Sequence, residues 1–97
     1  MRSVVGRAYY AVFSPARDLM ESRRGKPFSM QRSVHTQVIY ALRQDQNPTV
    51  AEIGLDLDRL RRERNRADYR GNVTFTVKRA RKALIQGRDI ARRLLEI

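Results

Sequence analysis

Ninety-seven residues, 41% of them apolar, make one domain with room for a single modest core, and three prolines with five glycines are too few for a turn-rich all-β fold. Twenty-one basic against ten acidic residues give a net charge of +11, a field that favours a polyanion such as nucleic acid. No apolar run approaches the roughly 20 residues of a membrane span, the opening MRSVVGRAYY lacks a signal peptide's apolar core, and there is no cysteine. A cytoplasmic protein that does not enter a membrane and uses no metal or cofactor is the expectation.

From Ser3 to about Glu21, the residues Val5, Ala8, Val12, Ala16 and Leu19 repeat with a helical period, and Tyr9, Phe13 and Met20 widen the face. Pro15 falls inside this helix and is expected to kink it. Gly25 and Pro27 then stand in the order of a helix stop and a loop. A second helix, capped by Ser29, is expected through Val34, Val38, Ile39 and Leu42 to near Gln46. Asn47-Pro48 breaks the chain, and Thr49 with Glu52 three residues on reads as a capping box for a third helix.

That third helix carries Ile53, Leu57 and Leu60 toward Asp68, with Arg70-Gly71-Asn72 as its end. Thr74 or Thr76 opens the last helix, whose apolar stripe is expected to run Val77, Ala80, Leu84, Gly87, Ala91 and Leu94. Ala83, Ile90 and Ile97 lie in a neighbouring register. Gly87 on this stripe invites close approach by another helix. The pattern specifies an all-α bundle of about four helices with short connections and no second domain.

The densest chemistry lies in Asp58–Tyr69, DRLRRERNRADY. Counting back from Ala67, the spacing places Arg64 on the apolar stripe with Leu60 and Leu57, and Asp68 follows one turn later. An arginine on that seam needs partners for its five donors. Asp68 and Asn65 supply them in a structural reading. In a functional reading the planar guanidinium of Arg64 grips a phosphate. Around it, from Arg59 to Arg93, stand thirteen lysines or arginines and only three acids. Arg61, Arg62, Arg66, Arg70, Lys78 and Arg81 are the candidate nucleic-acid contacts. His35, the one histidine, lies beside Val34 and Val38. It reads either as a hydrogen-bonded seam residue or as a group for proton transfer near neutrality. Tyr9 and Tyr10 point about 100° apart on a helix, so one packs and the other faces outward or an interface.

Gly6-Arg7-Ala8-Tyr9-Tyr10-Ala11-Val12-Phe13, the following Ser33-Val34-His35, the box Arg64-Asn65-Arg66-Ala67-Asp68-Tyr69 and the final amphipathic helix together resemble the small stand-alone HEPN domains, over essentially the whole chain. The resemblance implies an up-and-down helical bundle that forms a homodimer, with the third-helix box facing its twin. It also implies a metal-independent RNase chemistry built on an arginine and a histidine five residues later. It implies, further, a toxin paired with a nucleotidyltransferase antitoxin. Arg64 matches the motif arginine, and Asn65 the polar residue after it. The fifth residue on is Tyr69 rather than histidine, and a phenol near pKa 10 is a poor base at pH 7. Tyr69 alternatively matches a tyrosine that such antitoxins modify. Relatives begin with a further helix, whereas this chain starts on the tyrosine motif, so exposed apolar surface is expected on the first helix.

Two readings remain open at this level. One is a toxin-like, RNA-binding protein with ribonuclease activity centred on Arg64, Asn65, Asp68 and Tyr69. The other is a non-catalytic HEPN scaffold module that works through dimerisation and contacts with partner proteins.

Overall fold

The computed structural model describes residues 2–29, 32–70 and 77–97, and of residues 2–3 and 66–70 only the backbone. Four helices follow one another: α1 (Arg2–Arg24), α2 (Val34–Arg43), α3 (Pro48–Arg70) and α4 (Val77–Leu95). No strand occurs among the described residues. The architecture is the all-α bundle that the periodicity specifies. α1 and α3 each pack against all three other helices, while α2 and α4 do not touch. The long pair therefore forms the middle of the molecule, with α2 and α4 on either side.

The core is built from one face of each helix. Val5, Tyr9, Val12, Ala16 and Met20 of α1 meet Val38, Ile39 and Leu42 of α2. Val50, Ile53, Leu57 and Leu60 of α3 join them, and Ala83 and Ile90 of α4 close the side. Leu42, Ile53, Leu57, Leu60 and Ile90 are completely buried, each contributing about 1.5–3 kcal/mol of apolar transfer.

α1 extends a few residues past the expected Glu21. Pro15 lies within it without ending it. The carbonyl that loses its partner belongs to Ala11, four residues back, and both residues are exposed, so water can satisfy it. Gly25, at φ +71°, ends the helix by donating its N–H to the Glu21 carbonyl at 2.9 Å. The cap of α2 differs from the expectation: Ser33, not Ser29, accepts the Thr36 N–H through its side chain. Ser29 is instead held outside the helix, where its N–H and carbonyl meet the Gln37 side chain at 3.3 and 3.0 Å. The helix also stops earlier, at Arg43 with Gln44 as its C-cap, rather than near Gln46.

The start of α3 is likewise corrected. Asn47 caps it, accepting the Thr49 N–H on its side chain at 2.9 Å, so Thr49 is inside the helix. Pro48 occupies the first helical position, where its fixed φ fits and its missing N–H costs nothing. The expected stops and starts at Gly71, Asn72, Thr74 and Thr76 lie outside the described residues.

In α4 the buried line is Ala80, Ala83, Gly87 and Ile90, between the two expected registers. Val77 and Leu84 are 58% and 40% exposed, so they leave the stripe. Ile97, from the second register, is past the helix end and 39% exposed. An apolar groove runs beside this line, between Ala8, Ala11, Val12, Pro15 and Leu19 of α1 and Leu84, Ala91 and Leu95 of α4. Across the other seam, Arg93 of α4 bonds Asp56 of α3 and Asp89 of its own helix.

The glycine that the packing requires is Gly54, which the sequence pattern does not single out. A Cβ there would lie 2.9 Å from Leu42 Cβ and 3.0 Å from the Arg43 backbone nitrogen. At Gly87 it would meet Ala8 at 3.4 Å, which is ordinary contact. Gly54→Ala is therefore expected to lower the unfolding free energy by about 1–2 kcal/mol, overpacking outweighing the gain in helix propensity. Gly87→Ala should be neutral or stabilise by up to about 1 kcal/mol. Urea unfolding of the two variants checks the contrast, and equal effects would contradict it.

Candidate functional site

α1, α2 and α3 converge where Tyr9, Tyr10, His35, Arg61 and Arg64 meet. Tyr9 is fully buried because it shares the α1 face with Val5, Val12 and Ala16. Its hydroxyl lies 2.7 Å from His35 Nδ1, a bond joining α1 to the first turn of α2. Phe13, one turn after Tyr9, brings its ring to 4.3 Å from the imidazole. Tyr10 points outward as the neighbour of a buried residue must, and is 45% exposed. The lone histidine is thus a hydrogen-bonded seam residue, and it is partly exposed as well.

Arg64 completes the seam from α3. Its guanidinium carbon sits 4.9 Å from the Tyr10 ring centroid and 5.7 Å from that of Tyr9, within cation–π range. Arg61, one turn earlier on the same face, adds a second positive charge that acts on both Tyr9 and His35. Arg64 and His35, far apart in sequence, therefore belong to one site.

The electrostatics follow from this enclosure. Burial, with the charges of Arg61 and Arg64 as lesser causes, lowers the His35 pKa below its ordinary 6.5. Burial also pushes the Tyr9 phenol well above its ordinary 10, against the pull of the same two arginines. At neutral pH the phenol is protonated and the imidazole neutral. The hydroxyl either donates to Nδ1 or accepts from Nδ1–H, and only the second arrangement leaves Nε2 free to take a proton. Nε2 makes no hydrogen bond among the described residues.

On the opposite flank of α3 a second basic feature appears. Arg59, Arg62 and Glu63 face Arg79, Lys82 and Gln86 of α4 across an open cleft of about 390 Å³. Arg62 is paired with Asp58 at 2.8 Å and Arg59 with Asp56 at 3.5 Å. Both arginines are largely exposed, so these pairs are worth little and do not hold the side chains back from a stronger anion.

Of the residues picked from the sequence, Arg64, Arg61 and His35 come together, and Arg62 lies in the cleft. Asn65 is half-buried one residue beyond Arg64. Lys78 and Arg81 are exposed on α4 and do not line the cleft. Asp68, Tyr69, Arg66 and Arg70 belong to the last turns of α3, and their side chains lie outside the described ones. The expected Arg64–Asp68 pair is thus also outside them. Sequence reading missed Arg59, Arg79 and Lys82 as partners in one cleft, although Arg59/Arg62 and Arg79/Lys82 carry the i, i+3 spacing of a shared face. It also missed Tyr9 as the group that holds His35. Among the described residues no three of His, Cys, Asp and Glu converge, and no helix is long and apolar enough to cross a membrane.

No family model, no curated protein and no solved structure matches this chain.

The lowered pKa fixes a sign for stability. Below pH 6.5 the unfolded chain protonates its histidine before the folded one does, so protons favour unfolding. The His35 contribution is complete above that pH and is lost as pH falls through the window beneath it. Wild-type stability relative to His35→Gln should therefore decrease between pH 7.5 and 5.5. Paired denaturant curves measure it, and a difference that is flat or grows on acidification would contradict the placement of His35.

Proposed function

We propose that this chain is a HEPN-type, RNA-binding protein, the toxin-like component of a toxin–antitoxin pair, and that it cleaves RNA without a metal at the Arg64–His35 seam. The observation that carries the reading is the convergence of the lone histidine with Arg64. The motif of the family that the chain resembles supplies an arginine and a histidine from one helix. Here Tyr69 stands at the motif position, and α2 brings His35 to the arginine instead.

The chemistry this supports is attack of a ribose 2′-hydroxyl on the adjacent phosphorus. It forms a 2′,3′-cyclic phosphate as the P–O5′ bond breaks, and the departing 5′-oxygen takes a proton from water or from the His35 imidazolium. Arg64 offers a planar, permanently charged fork to the non-bridging oxygens as their charge grows. His35, neutral at pH 7, takes the 2′-hydroxyl proton at Nε2 while Nδ1–H donates to Tyr9. Arg61 strengthens the field, and the cleft of Arg59, Arg62, Arg79 and Lys82 holds further phosphates. The remaining partners in this reading are a second copy of the chain across the α3 box and a nucleotidyltransferase antitoxin, in the cytoplasm.

The apolar groove between α1 and α4 favours a second reading. A scaffold module would use that groove for a partner protein, and Tyr69 would mark lost catalysis.

Incubating purified protein with RNA in the presence of a chelator separates the two. Wild type should cleave, Arg64→Ala should lose about 10²–10³-fold, and His35→Ala about 10²–10⁴-fold, with helicity unchanged. Tyr69→Phe reads whether the phenol contributes. An Arg64→Ala protein as active as wild type would overturn the site, and binding without cleavage by wild type would leave the scaffold reading.

A further inference from the structure

The presentation of Tyr10 goes beyond what phosphate binding needs. Its neighbours Tyr9, Phe13 and His35 are all steeply inclined to it, at interplanar angles of 72°, 87° and 69°. These three contacts pack the ring, no ring among the described residues stacks parallel to it, and the Arg64 guanidinium lies over it at 4.9 Å. The residue is nevertheless 45% exposed, beside a Tyr9 that is completely buried. A half-exposed ring with three inclined aromatic neighbours, and one guanidinium over it, keeps surface open to a further planar group and can serve as a platform.

What lies next to the platform identifies its ligand. The Arg64 guanidinium is 4.9 Å from the Tyr10 centroid, and His35 is 5.9 Å away. In a nucleotide the base and its phosphate are joined through one ribose. A base packed on the exposed part of Tyr10 would therefore have its own phosphate within reach of the arginine and imidazole. Planar guanidinium and phenol faces are the surfaces on which proteins stack unpaired bases.

From this arrangement we infer that Tyr10 stacks an unpaired base, so that the seam accepts single-stranded polynucleotide and discriminates against duplex. The inference rests on the RNA reading above and names its substrate class. A base inside a duplex is already stacked on both faces and reaches Tyr10 only after unstacking, which costs a few kcal/mol. The α3–α4 cleft, which contacts backbone charge alone, gives no such preference. The discrimination therefore resides in one side chain.

The test is fluorescence anisotropy with a labelled 12-nucleotide 2′-O-methyl RNA, which lacks the attacking hydroxyl, and with its duplex. Wild type should bind the single strand more tightly. Tyr10→Ala and Tyr10→Leu should each weaken single-strand binding about 5- to 150-fold, equivalent to about 1–3 kcal/mol. Their duplex affinity should stay at the wild-type value. Tyr10→Phe, which keeps the ring, should stay within about twofold of wild type by the same stacking argument. The inference is overturned if the alanine and leucine variants bind the single strand like wild type. It is equally overturned if they lose affinity for both forms in parallel, or if phenylalanine fails as badly as alanine. In these three outcomes RNA binding itself stands. Wild type that binds neither form overturns the RNA reading and the inference together.

Discussion

The hydrogen bond between Tyr9 and His35 is the contact on which the site depends. Tyr9 is buried by the α1 core face, and its hydroxyl is the one polar atom that face carries inward to α2. A buried phenol without a partner would lose on the order of 1–3 kcal/mol, so the bond fixes where the imidazole sits. With His35 placed, Phe13 and Tyr10 pack around it and Arg64 closes the box from α3. Three helices that each need the core for stability thereby set the positions of three side chains that the core does not need.

The same enclosure sets the protonation states. Burial penalises an imidazolium at His35, and the two arginines on one face of α3 repel that cation further. The histidine escapes by staying neutral, the state a proton acceptor requires. The phenol, pushed upward by burial, stays protonated and can serve as donor or acceptor to Nδ1. In the proposed reaction a phosphate in the seam would work the other way, its charge offsetting Arg61 and Arg64 and so favouring the imidazolium. Positive charge on the other flank of α3 is treated differently, being partly offset by Asp56 and Asp58 in exposed pairs. One helix thus carries a half-buried pair of arginines on one side and a more exposed set on the other.

Much of the fold was legible because helical periodicity reports burial directly. Val5, Tyr9, Val12 and Ala16, or Ile53, Leu57 and Leu60, could be assigned to a core face without coordinates. The split between Tyr9 and Tyr10 followed from 100° per residue alone. Helix ends were less legible, since Ser29 and Thr49 are as good caps in isolation as Ser33 and Asn47. Loop geometry chose between them. Gly54 was invisible because its demand comes from Leu42 and Arg43 on another helix. The meeting of His35 with Arg64 is a tertiary fact of the same kind, with no trace in local spacing. The family resemblance pointed to Arg64 and placed its motif histidine at Tyr69, leaving His35 as a separate candidate for proton transfer.

The central claim is that one phosphate lies between Arg64 and His35. The most direct measurement is NMR titration of the His35 imidazole in the free protein and with a bound 2′-O-methyl oligonucleotide. Arg64→Ala serves as the comparison. The account predicts a free pKa below 6.5 that rises when the oligonucleotide binds, as a phosphate shields the imidazolium from Arg61 and Arg64. In Arg64→Ala the rise should be smaller, the phosphate being less firmly held. An oligonucleotide that binds while the His35 titration stays where it was would place the phosphate elsewhere and contradict the account.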